Sequence, residues 1–454
     1  MAKLSAARAF REKFSPNGIA NTYSKRLSDS RAVGLDRVDA SNFVARLSSE
    51  IDLISKKVLA GTYEYTKYKE KLVSRGADKA PRQLAIPTIR DRVTLRALCD
   101  YLFEVYPEAR PDLPQVKIDA LKVAVDSGKY PHFIRIDLRD FYPSLNHSIV
   151  LTRAGRRVRL PAFRKLVASA LRNPTVAENA ASNALPRTKG VAQGLSISNV
   201  LAEIFMLDVD AQIRSLAPVY IRYVDDIIIL TDVDPSPLCI EVSRILRASK
   251  LLPHPINEPG SKSHIGLTVD GFTYLGYSVQ PARITVKSTN VLAFEGSLVE
   301  TFVEYRHRLR TAVTTSERDA ARARFRWNLN LKLTGCIYKG ERFGWIFYYS
   351  QINDTAVLYR IDNTVRQLFD RFKITVPPNP KRAVKAFFEA KRTDKTSHRY
   401  IPNYDSLTVP AVRTFLTEIG VSVVGLPDDE VMIAFNRVIG RATHKLQKDV
   451  SGVS

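Results

Sequence analysis

The chain has 454 residues, of which 45% are hydrophobic, and its 69 Lys plus Arg against 46 Asp plus Glu give a formal net charge of +23. This length and apolar content predict a large core or several domains, and the positive charge favours a polyanionic partner such as nucleic acid. No apolar run reaches about 18 residues, and the three cysteines lie far apart, which argues against a membrane span, a disulfide framework or a four-ligand zinc site. The cytoplasm is the compartment that these features favour.

The N-terminal region predicts helices on either side of a basic stretch. Residues 37–60 carry apolar side chains at helical spacing. Residues 62–86 are basic and include Pro81, which argues against a helix, so we expect a loop there. The apolar spacing of residues 95–103 predicts that another helix follows.

The central region alternates strand and helix signals. "PHFIRIDLRDFYPSL" begins as a strand that ends at Asp137, and residues 148–180 are expected to be helical and basic. The segment 190–213, "GVAQGLSISNVLAEIFMLDVDAQI", predicts a glycine-containing turn followed by an apolar helix. "IRYVDDIIIL" at 221–230 predicts strand, turn and strand, and "GFTYLGYSV" at 271–279 predicts a further strand.

The pattern turns helical again from about residue 295. Residues 299–314 interleave apolar residues with arginines, and "ARARFRWNLNLKLTG" continues this basic helical pattern. "VPPNPKR" at 376–382 has the composition of a linker, so residues after about 380 are expected to form a small appended unit.

Three aspartates in this pattern suggest a site. Asp137 ends one predicted strand, and Asp225 and Asp226 form the turn between two others. Carboxylates crowded together repel one another and either share a proton or hold a cation, and their oxygens suit a hard ion such as Mg²⁺. Two such ions can support phosphoryl transfer. Their spacing alone leaves an ordinary acidic turn equally open.

The order of the surrounding segments resembles the reverse transcriptase family. "IDLRDFYPS" is similar to that family's motif A, "GVAQGLSIS" to motif B and "YVDD" to motif C, while "SKS" and "FTYLGY" resemble motifs D and E. "RQLAIPTIRDRV" is similar to the fingers segment of the prokaryotic branch that includes group II intron and retron enzymes. The resemblance runs from about residue 30 to 280, with a thumb to 373.

The resemblance implies an α+β, right-hand polymerase fold. Fingers and an N-terminal region would occupy residues 1–130, and the palm, an antiparallel sheet with helices, residues 131–290, with an interleaved fingers segment at about 145–200. A helical thumb would span residues 291–375 and a C-terminal extension residues 376–454. The implied activity is RNA-directed DNA synthesis from dNTPs, with two Mg²⁺ ions or Mn²⁺ as cofactor.

The resemblance also carries roles over to individual positions. Asp137, Asp225 and Asp226 would be the catalytic metal ligands, assisted by the carbonyl of Leu138. Other residues would contact the incoming nucleotide, and these are Arg82, Tyr142, Gln193, Gly194 and Lys262. Tyr142 matches the aromatic residue that excludes a ribose 2′-hydroxyl in this family, and the alternative is a core aromatic residue. Lys262 would contact the leaving pyrophosphate, and the alternative is a solvated surface lysine. Arg90 and Arg92 would contact the template or brace the fingers.

Two departures from the family pattern bear on the biological role. Motif B usually has proline where this chain has Ala192 and Asn199, and "RPDLPQVKIDAL" replaces the pattern typical of group II intron enzymes. The segment 333–365 resembles thumbs of bacterial defence-associated reverse transcriptases. The expected partners are therefore an RNA template, taken to be a dedicated noncoding RNA, the DNA product and dNTPs, with a homo-oligomer or a defence partner protein left open. The alternatives are a retron or group II intron-derived enzyme, and an RNA-binding scaffold with a vestigial polymerase site.

Overall fold

The structure is a computed structural model that describes residues 5–27, 32–74, 80–179, 184–392 and 399–451. Helices dominate these ranges. They are α1 Ala6–Lys13, α2 Pro16–Arg26, α3 Ala40–Val44, α4 Leu47–Leu59, α5 Ile89–Val105, α6 Pro114–Asp126, α7 Phe141–Ser144, α8 His147–Gly155, α9 Pro161–Arg172, α10 Ser196–Arg214, α11 Pro235–Ala248, α12 Ser288–Thr311, α13 Thr315–Thr334, α14 Trp345–Tyr348, α15 Ala356–Phe372, α16 Ala383–Ala390, α17 Val409–Glu418 and α18 Asp428–Ser451.

The strands form small sheets. They are β1 Tyr68–Val73, β2 Arg82–Ile86, β3 His132–Asp137, β4 Thr175–Val176, β5 Val219–Tyr223, β6 Asp226–Thr231, β7 His264–Leu267, β8 Phe272–Tyr274, β9 Tyr277–Gln280, β10 Arg283–Val286, β11 Cys336–Tyr338 and β12 Glu341–Phe343. The mixture of helices and sheets confirms the predicted α+β class.

The chain divides into two compact units. The first comprises Met1–Asp112 and His132–Gly266, and the second comprises Leu113–Pro131 and Leu267–Ser454. Both units thus draw on two separate stretches of chain. The division into fingers, palm, thumb and extension remains a prediction. Its boundaries differ from those of the two compact units.

The first unit is built around a four-stranded sheet in the order β5-β6-β3-β7. Strands β3 and β6 run antiparallel, with Ile136 paired to Ile227 and Asp137 paired to Asp226. Ile134, Ile136, Ile227 and Ile229 are buried in one hydrophobic core with residues of helices α5, α8 and α10. Because β-branched residues favour strands and both central strands are buried, this pair is a rigid support for the aspartates at its end.

A second sheet in this unit corrects the expectation of a loop at 62–86. Strands β1 and β2 form an antiparallel pair, and β4 runs parallel to β1. The sequence pattern hid them because charged residues such as Lys69, Glu70 and Lys71 interrupt the apolar alternation, while Tyr68 alone on β1 is fully buried. Positions 75–79 of the stretch lie outside the described residues.

Two predicted helical stretches are divided in the structure. The pattern over 37–60 contains α3 and α4, because the chain turns at Ala45 and Arg46. The stretch 148–180 contains α8, α9 and strand β4, and its last position lies outside the described residues. Pro161 begins α9 at a position where proline is favoured, which explains the break between the helices.

The second unit contains the arginine-rich helices that were predicted after residue 295. These are α12 and α13, and α13 begins with a capping box between Thr314 and Glu317. Phe302, Phe325 and Phe369 from α12, α13 and α15 pack with ring centroids 4.9–6.1 Å apart. In the part of the chain that the structure describes, no helix is long and apolar enough to cross a membrane.

The C-terminal helices share a core with the helical part of this unit. Val412 and Leu416 of α17, together with Phe435 of α18, cluster with Leu331 of α13 and Cys336 of β11. The residues after about 380, which the sequence predicted to form a small appended unit, pack on α13 and β11. The linker composition of 376–382 gave no sign of this long-range packing.

Candidate active site

The two adjacent aspartates occupy a tight hairpin between β5 and β6. Val224 and Asp225 form the turn, and Val224 has a φ of 57°. A β-branched residue in this region is a steric outlier that costs about 1–3 kcal/mol, so the surrounding structure must impose the conformation. The predicted strand, turn and strand over 221–230 are confirmed.

The guanidinium of Arg222 connects this turn to helix α10. Its Nη1 donates to the carbonyl oxygen of Val224 at 3.0 Å. Its Nε and Nη2 donate to the two carboxylate oxygens of Asp210 at 2.8 and 2.7 Å, and Nη2 also contacts Glu203 at 2.7 Å. Burial opposes the charge, but these two carboxylates hold the pKa of Arg222 well above its ordinary value. Arg222 therefore ties the strained turn to helix α10.

Asp137 and Asp226 face each other as register partners, with Asp225 in the turn beside them. Burial, and then the negative charge of Asp137, raise the pKa of Asp225. Burial also raises the pKa of Asp226, to about 6, although Arg135 opposes this shift. The three carboxylates are thus close enough to repel one another in a poorly solvated corner.

Basic side chains surround the aspartates. Lys262 Nζ lies 3.5 Å from Asp137 Oδ1, and His254 Nε2 lies 3.3 Å from Asp137 Oδ2. Arg135 donates from Nε and Nη2 to the two oxygens of Asp226, at 3.1 and 2.9 Å. The charges of Lys262 and the exposed Arg82 oppose the rise in the pKa of Asp225, so these predicted cationic partners share one electrostatic environment with it.

The donor chemistry of this corner fits a hard divalent cation. Carboxylate oxygens are the ligands that Mg²⁺ prefers, and a cation would relieve the repulsion that raises the pKa of Asp225. Among the described residues, no three acidic, histidine or cysteine side chains converge closely enough to hold a metal as they stand. Arg135, Lys262 and His254 contact the carboxylates instead. Leu138 is buried at the end of β3 and bridges to Pro253.

The turn before α10 packs against strand β2. The amide of Ala85 donates to the carbonyl of Gln193 at 2.7 Å. Gly194 has a φ of +99°, and a Cβ there would lie 2.9 Å from the carbonyl oxygen of Ala85. Only glycine suits both the backbone conformation and this close approach, so the turn and the strand that carries Arg82 are held together.

Tyr142 lies beside the hairpin. Burial, followed by the charges of Glu203 and Asp225, raises the pKa of its hydroxyl. The hydroxyl donates to Asn199 Oδ1 at 3.1 Å, and the Tyr142 carbonyl accepts from the amide of Val191 at 2.8 Å. Tyr142, Arg82 and Lys262 thus share the electrostatic environment of Asp225, while Gln193 and Gly194 lie on the turn that packs against the strand of Arg82.

Residues 69–279 match the family model for reverse transcriptase (RNA-dependent DNA polymerase). The chain carries a reverse transcriptase domain. This domain is an RNA-directed DNA polymerase, a nucleotidyltransferase, and it contains Asp137, Asp225 and Asp226. A search of curated proteins finds no match to the chain.

Two solved structures are weakly similar to the chain. One is telomerase from Candida albicans in complex with a TWJ fragment of telomeric RNA, at 11% identity and a TM-score of 0.42, covering 89% of this chain and 67% of that one. The other is apo telomerase from Candida tropicalis, truncated from its C-terminal domain, at 13% identity and a TM-score of 0.33, covering 55% and 60%.

Several basic residues of the reverse transcriptase domain have internal partners. Lys69 Nζ lies 2.6 Å from Glu178, and Arg90 Nη2 donates to Glu50 at 2.8 Å. Arg92 donates to the carbonyl of Ala32. Arg90 and Arg92 therefore brace the structure, which is one of the two roles that the sequence left open for them.

Sequence reasoning missed the residues that hold the site in place. Arg135 lies in β3, two positions before Asp137. Arg222 lies in β5, three positions before Asp225. A charged residue inside an apolar strand could have indicated them, because a buried charge requires a partner of opposite charge. The partners themselves lie 91 and 12 residues away along the chain, beyond any local pattern.

Proposed function

We propose that this chain synthesises DNA on a dedicated noncoding RNA template, as a prokaryotic reverse transcriptase in bacterial antiviral defence. The polymerase class follows from the domain match, and the template, the branch and the biological role are proposed. The observation that carries the proposal is the opposition of Asp137 and Asp226 across β3 and β6, with Asp225 in the adjoining turn.

The three aspartates are the groups that would hold the metal, with the carbonyl of Leu138. The fit rests on the hard oxygen donors and on the repulsion between Asp137 and Asp225. Two bound Mg²⁺ ions, or Mn²⁺, supply the positive charge that stabilises the attacking and leaving oxygens of phosphoryl transfer. Arg135 and Lys262 neutralise the same carboxylates in the present arrangement.

The residues around the aspartates define a site for the nucleotide. Arg82 and Lys262 present positive charge towards Asp225, which suits a triphosphate. Gln193 and Gly194 form a turn packed on β2, which gives the nucleotide a rigid wall. Tyr142 projects a partly buried ring beside Asp225 and would exclude a ribose 2′-hydroxyl, which distinguishes RNA precursors from DNA precursors.

The remaining partners follow from charge. A net charge of +23 suits a template–product duplex held by its phosphates without sequence readout. The arginine-rich helices α12 and α13 are the proposed contact elements. The cytoplasm is the proposed compartment, and a homo-oligomer or a defence partner protein is compatible with this assignment.

A second candidate is an RNA-binding scaffold with an inactive polymerase site. The observation that favours it is the two-pronged contact between Arg135 and Asp226, which occupies both oxygens of one predicted metal ligand. Retron and intron-derived enzymes share the polymerase chemistry and differ in their RNA. The sequence of the RNA that accompanies the protein separates them from the leading proposal.

The test is to purify the chain from its host with its accompanying RNA and to supply labelled dNTPs and Mg²⁺. The variant Asp225→Ala/Asp226→Ala removes the hairpin carboxylates. The control Asp428→Ala/Asp429→Ala removes another adjacent pair, which is exposed at the start of α18. Wild type and control should make DNA complementary to one RNA, and the hairpin variant should make none.

The same variants in infected cells test the biological role. Protection against phage by wild type and control, but not by the hairpin variant, supports defence by DNA synthesis. Protection that survives loss of both hairpin aspartates would establish the scaffold instead. Product copied from an intron or a retron-type RNA would transfer the chain to that branch.

A further inference from the structure

Tyr142, the proposed gate against ribonucleotides, makes a side-chain hydrogen bond to a residue of helix α10. The hydroxyl of Tyr142 donates to the side-chain oxygen of Asn199 at 3.1 Å, across 57 residues of sequence. We propose that Asn199 is a positioning residue that fixes the ring of Tyr142 and thereby sets the preference of the enzyme for deoxynucleotides. This inference rests on the proposed function, in which Tyr142 excludes the 2′-hydroxyl.

The backbone of Tyr142 is already fixed at both ends of its short helix. Its carbonyl accepts from the amide of Val191, and the carbonyl of Asp140 accepts from the amide of Ser144. The ring packs edge-on against Phe141, with centroids 5.3 Å apart. The hydrogen bond to Asn199 adds a restraint at the far end of the ring, where it opposes rotation of the side chain.

Asn199 stands on a rigid support. It lies in the second turn of α10, four residues before Glu203 and eleven before Asp210, a spacing that places the three on one face of the helix. Glu203 and Asp210 are locked to the buried Arg222. The backbone of Asn199 is therefore held by the helix and by the contacts of that helix with Arg222, independently of Tyr142.

A neutral acceptor suits this position. Glu203 and Asp225 already place negative charge near the hydroxyl of Tyr142. An amide oxygen accepts the hydrogen bond without adding a further carboxylate to this group. The family that the chain resembles usually has proline at this point, and proline has no side-chain acceptor, so the restraint depends on asparagine.

Loss of the restraint should let the ring leave the sugar-facing position for part of the time. A single hydrogen bond between neutral groups changes such a population by about five- to tenfold. Discrimination between sugars should fall by this factor. Synthesis from deoxynucleotides should change little, because they carry no 2′-hydroxyl to exclude.

The experiment compares dTTP with 5-methyl-UTP, which differs from it only by the 2′-hydroxyl, on a poly(rA)·oligo(dT) primer–template with Mg²⁺. The ratio of the two kcat/KM values is the readout, since it does not depend on the fraction of active enzyme. Asn199→Ala and Tyr142→Phe should each lower the ratio about five- to tenfold, and the double variant should lower it no further. Asn199→Asp keeps an acceptor but adds a carboxylate to the group formed by Glu203 and Asp225, so its ratio should lie between those of wild type and Asn199→Ala.

Tyr142→Ala separates this inference from the proposed function. It should lower the ratio well beyond Asn199→Ala, because it removes the ring itself. If Tyr142→Ala lowers the ratio and Asn199→Ala leaves it unchanged, Asn199 does not position the gate. If Tyr142→Ala also leaves the ratio unchanged, or if wild type makes no product, the role of Tyr142 in the proposed function fails and this inference fails with it.

Discussion

Asp137 and Asp226 are direct partners across strands β3 and β6, so two carboxylates face each other at the end of the central strand pair. Like charges placed opposite one another destabilise a sheet unless a cation lies between or beside them. Lys262 contacts Asp137, and Arg135 contacts Asp226 with two hydrogen bonds. The folded site therefore depends on positive charge at both carboxylates.

Removing Arg135 should expose this dependence. Arg135→Met leaves Asp226 poorly solvated beside two other aspartates, and we expect the free energy of unfolding to fall by about 3 kcal/mol. Arg135→Met/Asp226→Asn should recover part of this loss, because asparagine brings no negative charge to the poorly solvated position beside Asp137 and Asp225. Denaturant unfolding of the whole chain measures both, and equal stability of wild type and Arg135→Met would refute the idea.

Replacing Arg222 with lysine should loosen the turn that carries Asp225. Lysine keeps the charge but lacks the planar fork that serves Asp210, Glu203 and the Val224 carbonyl together. We expect DNA synthesis to fall at least about tenfold, which corresponds to roughly 1.4 kcal/mol. The matched control is Arg244→Lys, because Arg244 is an exposed arginine on α11. This control should retain full activity. Equal activity of the two variants would contradict the role given to Arg222.

Adding a methyl group at Gly194 should disturb the turn at Gln193 and Gly194, which packs on β2 and is proposed to contact the nucleotide. Its φ of +99° and the 2.9 Å approach to the Ala85 carbonyl leave no room for a Cβ. We expect Gly194→Ala to raise the KM for dNTPs several-fold by displacing β2. Gly296→Ala, in the exposed middle of α12 with nothing near its Cβ, should instead stabilise the chain by up to about 1 kcal/mol. An unchanged KM in Gly194→Ala would show that the wall tolerates displacement.

Asp91 should make stability depend on pH. Burial raises the pKa of Asp91 to about 6, although it accepts hydrogen bonds from Tyr63, Thr66 and Thr88. Because the folded-state pKa lies above the unfolded value, this contribution is complete below about pH 4 and is lost as the pH rises through 6. The melting temperature of wild type relative to Asp91→Asn should therefore fall between pH 4 and 6.5. A constant difference over this range would show that Asp91 does not titrate there.

The local part of the site could be predicted from the sequence. The strand that ends at Asp137 and the hairpin around Asp225 have apolar runs and a turn that short-range patterns identify. The β1–β2 pair could not, because charged residues along β1 mask its alternation and its partners are set by tertiary contacts. Local propensity yields to such contacts in strands more readily than in helices.

The supporting contacts of the site depend on distant partners. Asn199 was visible only as a departure from the motif B pattern, and its role appears once α10 brings it to Tyr142. Arg135 reaches Asp226 through strand pairing over 91 residues. The shared core of Leu331 and Phe435 likewise joins helices on opposite sides of the linker-like segment 376–382.

The most direct measurement is primer extension on poly(rA)·oligo(dT) by Asp137→Asn, which removes one charge at the end of β3. The control is Asp140→Asn, an exposed residue at a φ of 44° that asparagine tolerates, three positions along the chain. We expect a loss of more than about a hundredfold for Asp137→Asn, with an unchanged melting profile, and near wild-type synthesis by the control. Synthesis by a folded Asp137→Asn at the wild-type rate would contradict the assignment of the catalytic site.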